Sequence, residues 1–138
     1  MDRVLMGKRK FTRSSRWGFA MLGWATLSAC VPPALAAGDA KKGADTFAEE
    51  CGDCHSPKEG KAKKGPPLFG VLNRKAGTIA EFSYSDAMKQ SGIVWTPEKI
   101  DAYVAAPKKA VPGGKMKYDG LGDAAARADV IAYLLSLK

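Results

Sequence analysis

The sequence predicts an all-α domain of four to five short helices joined by long loops. Three observations lead there. Residues that start and stop helices bracket the apolar segments: Asp39, Ser85, Thr96-Pro97 and Asp123 open them, while Gly92 and Pro107 close them. No stretch shows the sustained apolar–polar alternation of a half-buried strand. The connecting stretches are rich in glycine, proline and lysine and have no period, which is the composition of extended loops.

The chain has 138 residues and a net charge of +8. Residues 1–16 carry Arg3, Lys8, Arg9, Lys10, Arg13 and Arg16 against Asp2, and Trp17 to Ala37 carry no charge. A basic stretch, an apolar stretch and then small residues form an export signal. We divide the chain into this signal, residues 1–36, and one domain, residues 37–138. Three ends to the signal are open. Ala34-Leu35-Ala36 suits cleavage before Ala37 and a free periplasmic product. Leu27-Ser28-Ala29-Cys30 resembles a lipobox, which would end the signal before Cys30 and tether the domain through a lipid there. An uncleaved segment is about long enough to span a bilayer and act as an anchor. Without residues 1–36 the domain keeps 16 basic and 13 acidic side chains, a net of +3. The headline charge therefore belongs to targeting and gives no support to nucleic-acid binding.

The elements follow in order. Asp39 caps a helix running to about Cys51, with Gly43 and Phe47 four apart on one face. A glycine inside a helix costs roughly 1 kcal/mol relative to alanine, so Gly43 points to close approach by another helix. Residues 56–77 form a loop long enough to wrap a bound group. Ser85 caps a short helix over Asp86 to Ser91 that stops at Gly92. Thr96, with Pro97 at the first helical position, opens a helix to about Ala106, burying Ile100, Tyr103 and Val104. A second loop, residues 108–122, follows Pro107. Asp123 caps the last helix, Ala124 to about Leu137, whose apolar face is Val130, Ile131, Leu134 and Leu135.

The chemistry centres on Cys51, Gly52, Asp53, Cys54 and His55. The pattern C-x-x-C-H is that of covalent c-type haem attachment: two thiols add to the two vinyl groups, and the histidine follows as an axial ligand. A redox-active dithiol, half of a zinc site or a chance match has the same five letters. His55 is the only histidine of the chain, which excludes a bis-histidine haem. It also makes a poor zinc site, because a fourth protein ligand is missing. The sixth position then falls to methionine, lysine, water or nothing. Met1, Met6 and Met21 leave with the signal and Met88 sits on a short helix. Met116 lies in an exposed-looking loop, Val111-Pro112-Gly113-Gly114-Lys115-Met116, where packing does not call for it. Met116 is therefore our axial ligand opposite His55.

Taken together, residues 38–138 resemble a class I cytochrome c of the mitochondrial type, as found in the bacterial periplasm. The matching residues run in order: Gly43 with Phe47, CGDCH, GPPLFG, Arg74, Ala76-Gly77, FSYS, Trp95, PGGKM, Gly120-Leu121, Arg127 and Val130 to Leu134. The resemblance implies the cytochrome c fold wrapped around one haem c held by Cys51 and Cys54. It implies that the Pro66 carbonyl accepts from the His55 ring. It places Arg74, Tyr84 and Trp95 at the propionates and Tyr103 near the Met116 sulfur. Gly43 and Tyr133 would mark the crossing of the first and last helices. The chain departs from the family pattern at Gly114, Met88 and Asn73.

The resemblance also implies a function that is not enzymatic. A monohaem carrier closed by histidine and methionine would move single electrons along a respiratory or photosynthetic chain. Its expected partners are a quinol–cytochrome c reductase and a terminal oxidase, a reaction centre or a dehydrogenase. Lys58, Lys61, Lys63 and Lys64 follow the haem motif, and Lys108, Lys109, Lys115 and Lys117 flank the methionine loop. Together they would steer a monomeric carrier towards acidic partners. The alternatives are a peroxidase-like haem enzyme with a displaceable methionine and a C-x-x-C thiol–disulfide oxidoreductase. The latter normally needs a strand before the motif, which is absent here.

Overall fold

The computed structural model describes residues 38–138. The signal, with its alternative ends at Cys30 and Ala37, lies outside the described residues. Helix α1, Ala40–Thr46, starts where expected: the Asp39 carboxylate accepts from the amides of Lys41 at 2.8 Å and Lys42 at 3.2 Å. Its continuation, Phe47–Cys51, is wound as a π-helix. The expected single helix from Asp39 to Cys51 is thus present, with a wider turn leading into the cysteine motif. Such π segments are frequent at functional sites.

Helix α2, Asp86–Gln90, is capped by Ser85 Oγ, which accepts from the Met88 amide at 3.2 Å. Gly92 follows with φ +66°, a left-handed conformation that favours glycine. Helix α3, Pro97–Ala105, is capped by Thr96, whose hydroxyl accepts from the Lys99 amide at 3.3 Å. Helix α4, Pro107–Ala110, lies in what the sequence reading treats as loop. Pro107 does end α3, because its ring keeps Ala106 out of the helical region (φ −155°, ψ 76°), while its own fixed φ suits the first position of the next single turn. Helix α5, Ala124–Ser136, is capped by Asp123, which accepts from Ala125 at 2.8 Å and Ala126 at 3.3 Å.

The two ends of the domain meet where α1 crosses α5. A Cβ on Gly43 would lie 1.9 Å from the Asp129 carbonyl oxygen and 3.0 Å from Tyr133 Cβ. Only a bare backbone allows this approach, which is why the helix carries a glycine despite its low propensity. Phe47 and Tyr133 pack at the same crossing, ring centroids 5.3 Å apart. Phe47, Val71, Ile100, Val130, Ile131 and Leu134 form the buried core. Leu135, expected on the buried face of α5, is 44% exposed. At 100° per residue it falls well to one side of the arc that Val130, Ile131 and Leu134 span, so the buried stripe is narrower than its apolar letters suggest.

Arg127 joins α5 to α3. Its Nε lies 2.7 Å from Asp101, and Nη1 donates to the carbonyls of Leu121 at 2.8 Å and Gly122 at 3.0 Å. Among the described residues the only β feature is an isolated antiparallel bridge between Lys75 and Val94. Around it the Asn73 amide donates to the Trp95 carbonyl at 2.9 Å and the Trp95 amide to the Arg74 carbonyl at 3.0 Å. Asn73 has φ +62°. Asparagine is one of the few residues other than glycine that take up this left-handed conformation readily. No helix among the described residues is long and apolar enough to cross a membrane.

Candidate haem cleft

The site is built from the end of the first helix outwards. Both the Cys54 and His55 amides donate to the Cys51 carbonyl, at 3.1 and 2.8 Å, curling the motif into one turn. Cys51, Cys54 and His55 all line one cleft of about 370 Å³. No disulfide joins the two cysteines. Burial, aided by Glu50, pushes the Cys51 thiol up to about 11, so it is protonated at neutral pH. A disulfide oxidoreductase needs the opposite, a lowered thiol pKa.

The imidazole of His55 is held in place. Its Nδ1 pairs with the Pro66 carbonyl at 2.8 Å, as expected. This leaves Nε2 as the free ring nitrogen. Burial lowers its pKa, against the opposing pull of that carbonyl. A neutral ring is the form that ligates metal. Gly65 sits against the ring, where a Cβ would come within 2.4 Å of Cε1 and 2.7 Å of Nδ1. Among the described residues no three His, Cys, Asp or Glu side chains converge as a metal site, so the zinc alternative has no donor set.

The remaining walls come from the loops and from α3 and α5. Arg74 donates from Nη1 to the Phe69 carbonyl and from Nη2 to the Pro67 carbonyl, both at 2.9 Å. It therefore staples the GPPLFG loop, a role the sequence reading did not assign. A guanidinium carries five N–H donors, so three remain for another acceptor. Burial raises the Tyr84 phenol, with the charge of Arg74 opposing. Trp95 stacks edge-on against Tyr103 at 5.1 Å between centroids. Met116 follows a turn in which the Gly114 amide donates to the Val111 carbonyl at 3.0 Å and Gly113 takes φ +80°.

The cleft brings together all nine residues expected at the site: Cys51, Cys54, His55, Pro66, Arg74, Tyr84, Trp95, Tyr103 and Met116. Leu68, Val71, Ile100, Val104, Val130 and Leu134 line it as well. A large apolar disc with two polar propionates suits these walls and this donor set: two thiols, a neutral imidazole, a thioether and a partly free guanidinium. Three other lining residues, Glu50, Lys75 and Tyr118, were not expected from the sequence. Tyr118 donates to Glu50 at 2.9 Å, and Lys75 adds a cation at the cleft. Burial, then the bond to Glu50, pushes the Tyr118 phenol up to about 12. None of the three belongs to a recognisable local motif.

Comparison with known proteins matches residues 40–138 to the cytochrome c family model. The chain belongs to the cytochrome c family. It is 49% identical over 107 residues to a cytochrome c-type cyt cy of Rhodobacter capsulatus, covering 78% of this chain but about half, 53%, of that relative. It is 46% identical to a cytochrome c of Gibberella zeae, covering 72% of this chain and 95% of the relative. The same identity holds to cytochrome c2 of Rhodopila globiformis, with 73% and 95% covered. Among solved structures, cytochrome cH from Methylobacterium extorquens superposes with a TM-score of 0.67 and 41% identity, covering 72% of this chain and 99% of that one. The all-α cytochrome c fold is thereby established, and with it a covalently bound c-type haem, matched by the spacing of Cys51 and Cys54. The domain is a haem-based electron carrier and not an enzyme.

Proposed function

We propose that this cytochrome c domain is a closed, six-coordinate carrier with His55 and Met116 as axial ligands. The observation that carries the reading is the convergence of the nine expected residues on one cleft. Bound haem supplies a single, reversible electron between its ferrous and ferric states. The protein does the rest. Cys51 and Cys54 anchor the group by thioether bonds, and Pro66 orients the ring of His55 through Nδ1. Arg74, Tyr84 and Trp95, which line the cleft, would hold the propionates, and Tyr103 would sit beside the methionine sulfur. With His55 and Met116 both holding the iron, small ligands would bind slowly and the site would change little on electron transfer.

The carrier works in the periplasm, exported by residues 1–36. It passes electrons from a quinol–cytochrome c reductase to a terminal oxidase, a reaction centre or a dehydrogenase. Its export signal and its likeness to bacterial cytochrome c2 support this placement. Lys58, Lys61, Lys63, Lys64, Lys108, Lys109, Lys115 and Lys117 are all exposed, and Lys64, Lys115 and Lys117 line the cleft. Such a surface suits acidic partners, fast encounter and short residence. The test is carbon monoxide: the ferrous protein should fail to bind it at neutral pH. Ready binding would contradict the closed site.

A further inference from the structure

We propose that the hydrogen bond from Tyr118 to Glu50 is a clasp that holds the methionine loop shut over the cleft. The proposal rests on Met116 being an axial ligand. Tyr118 stands two residues after Met116, and Glu50 stands immediately before Cys51. Their side chains meet at 2.9 Å across 68 residues of sequence, and both line the cleft. The clasp therefore links the segment bearing the sixth ligand to the helix bearing the first attachment thiol. Residues 112–119 make one other side-chain hydrogen bond among the described residues, Lys108 to Asp119 at 2.7 Å. That bond is local, tying the loop to the neighbouring turn α4. It cannot hold the loop to the cysteine motif.

An incoming ligand must displace Met116, and displacement requires the loop to swing away. A bond present only in the closed state biases that equilibrium by its own free energy. Glu50 is exposed, so water competes for the bond and its net effect is modest, about fivefold in the closed-to-open ratio. Tyr118→Phe keeps the ring and removes only the donor. Glu50→Ala removes the acceptor at an exposed position.

The experiment measures imidazole binding to the ferric holoprotein at fixed pH, for the wild type, Tyr118→Phe, Glu50→Ala, the double variant and Lys108→Gln. The methionine–iron charge-transfer band of the wild type is recorded first. Its absence overturns Met116 ligation and the clasp with it. With the band present, both single variants should bind imidazole about fivefold more tightly. The double variant should bind no more tightly than either, and Lys108→Gln should match the wild type. Unchanged affinity in Tyr118→Phe overturns the clasp while leaving Met116 ligation standing. So do additive effects in the double variant, or an equal gain in Lys108→Gln.

Discussion

Replacing Gly43 by alanine tests the helix crossing that closes the fold. The added Cβ would stand 1.9 Å from the Asp129 carbonyl oxygen and 2.4 Å from its carbon. Carbon–oxygen contacts in proteins do not go below about 3 Å, so α1 and α5 must part by about 1 Å. The obstacle is backbone inside a helix and cannot turn aside as a side chain would. Overpacking of this kind costs about 1–3 kcal/mol, and a rigid neighbour places it near the upper end. The gap also weakens contacts between Phe47 and Tyr133, whose rings sit 5.3 Å apart at the same crossing. Alanine returns roughly 1 kcal/mol of helix propensity. The net loss is about 2 kcal/mol, which in a domain of this size lowers Tm by roughly 10 °C. Thermal unfolding of the holoprotein followed by far-ultraviolet circular dichroism reads it directly. An unchanged or raised Tm would refute the crossing.

Two further predictions concern the cleft. Gly65→Ala pushes a Cβ into the His55 ring and should break the 2.8 Å bond to Pro66; the ferric spectrum should then gain a high-spin fraction at neutral pH, and a wild-type spectrum would contradict the packing. Reversing Lys64, Lys115 and Lys117 to glutamate should slow electron transfer to a terminal oxidase at least about tenfold at low ionic strength, with the gap shrinking as salt is added. A salt-independent gap would remove steering as its cause.

Much of the fold was legible because its helix starts are written in single residues. Asp39, Ser85, Thr96 and Asp123 each cap the helix they announce, since capping is a local hydrogen bond between neighbours in sequence. Helix α4 was hidden because proline is both a stop and a start, and nothing in the letters says which role Pro107 plays beyond the end of α3. The exposure of Leu135 was hidden because the width of a buried stripe depends on what packs against it. Gly43 was legible from the opposite direction, as a helix-weakening residue that needed a packing reason. At the site, the cysteine motif and the methionine loop announce themselves through spacing and through the lack of any second histidine. The contact of Tyr118 with Glu50 has no such signal, because two common residues far apart in sequence meet only once the chain is folded. The stapling of the GPPLFG loop by Arg74 is of the same kind: the residue was expected at the site, but its carbonyl partners are set by the path of the loop.

The central claim is that Met116, and not the other methionine lining the cleft, completes the coordination with His55. Met88 lies in the same cleft and differs from Met116 in being held on α2. The decisive measurement is the methionine–iron charge-transfer band of the ferric protein in the wild type, Met116→Ala and Met88→Leu. The band should be present in the wild type and in Met88→Leu and absent in Met116→Ala. A band that survives in Met116→Ala, or is missing from the wild type, would contradict the assignment.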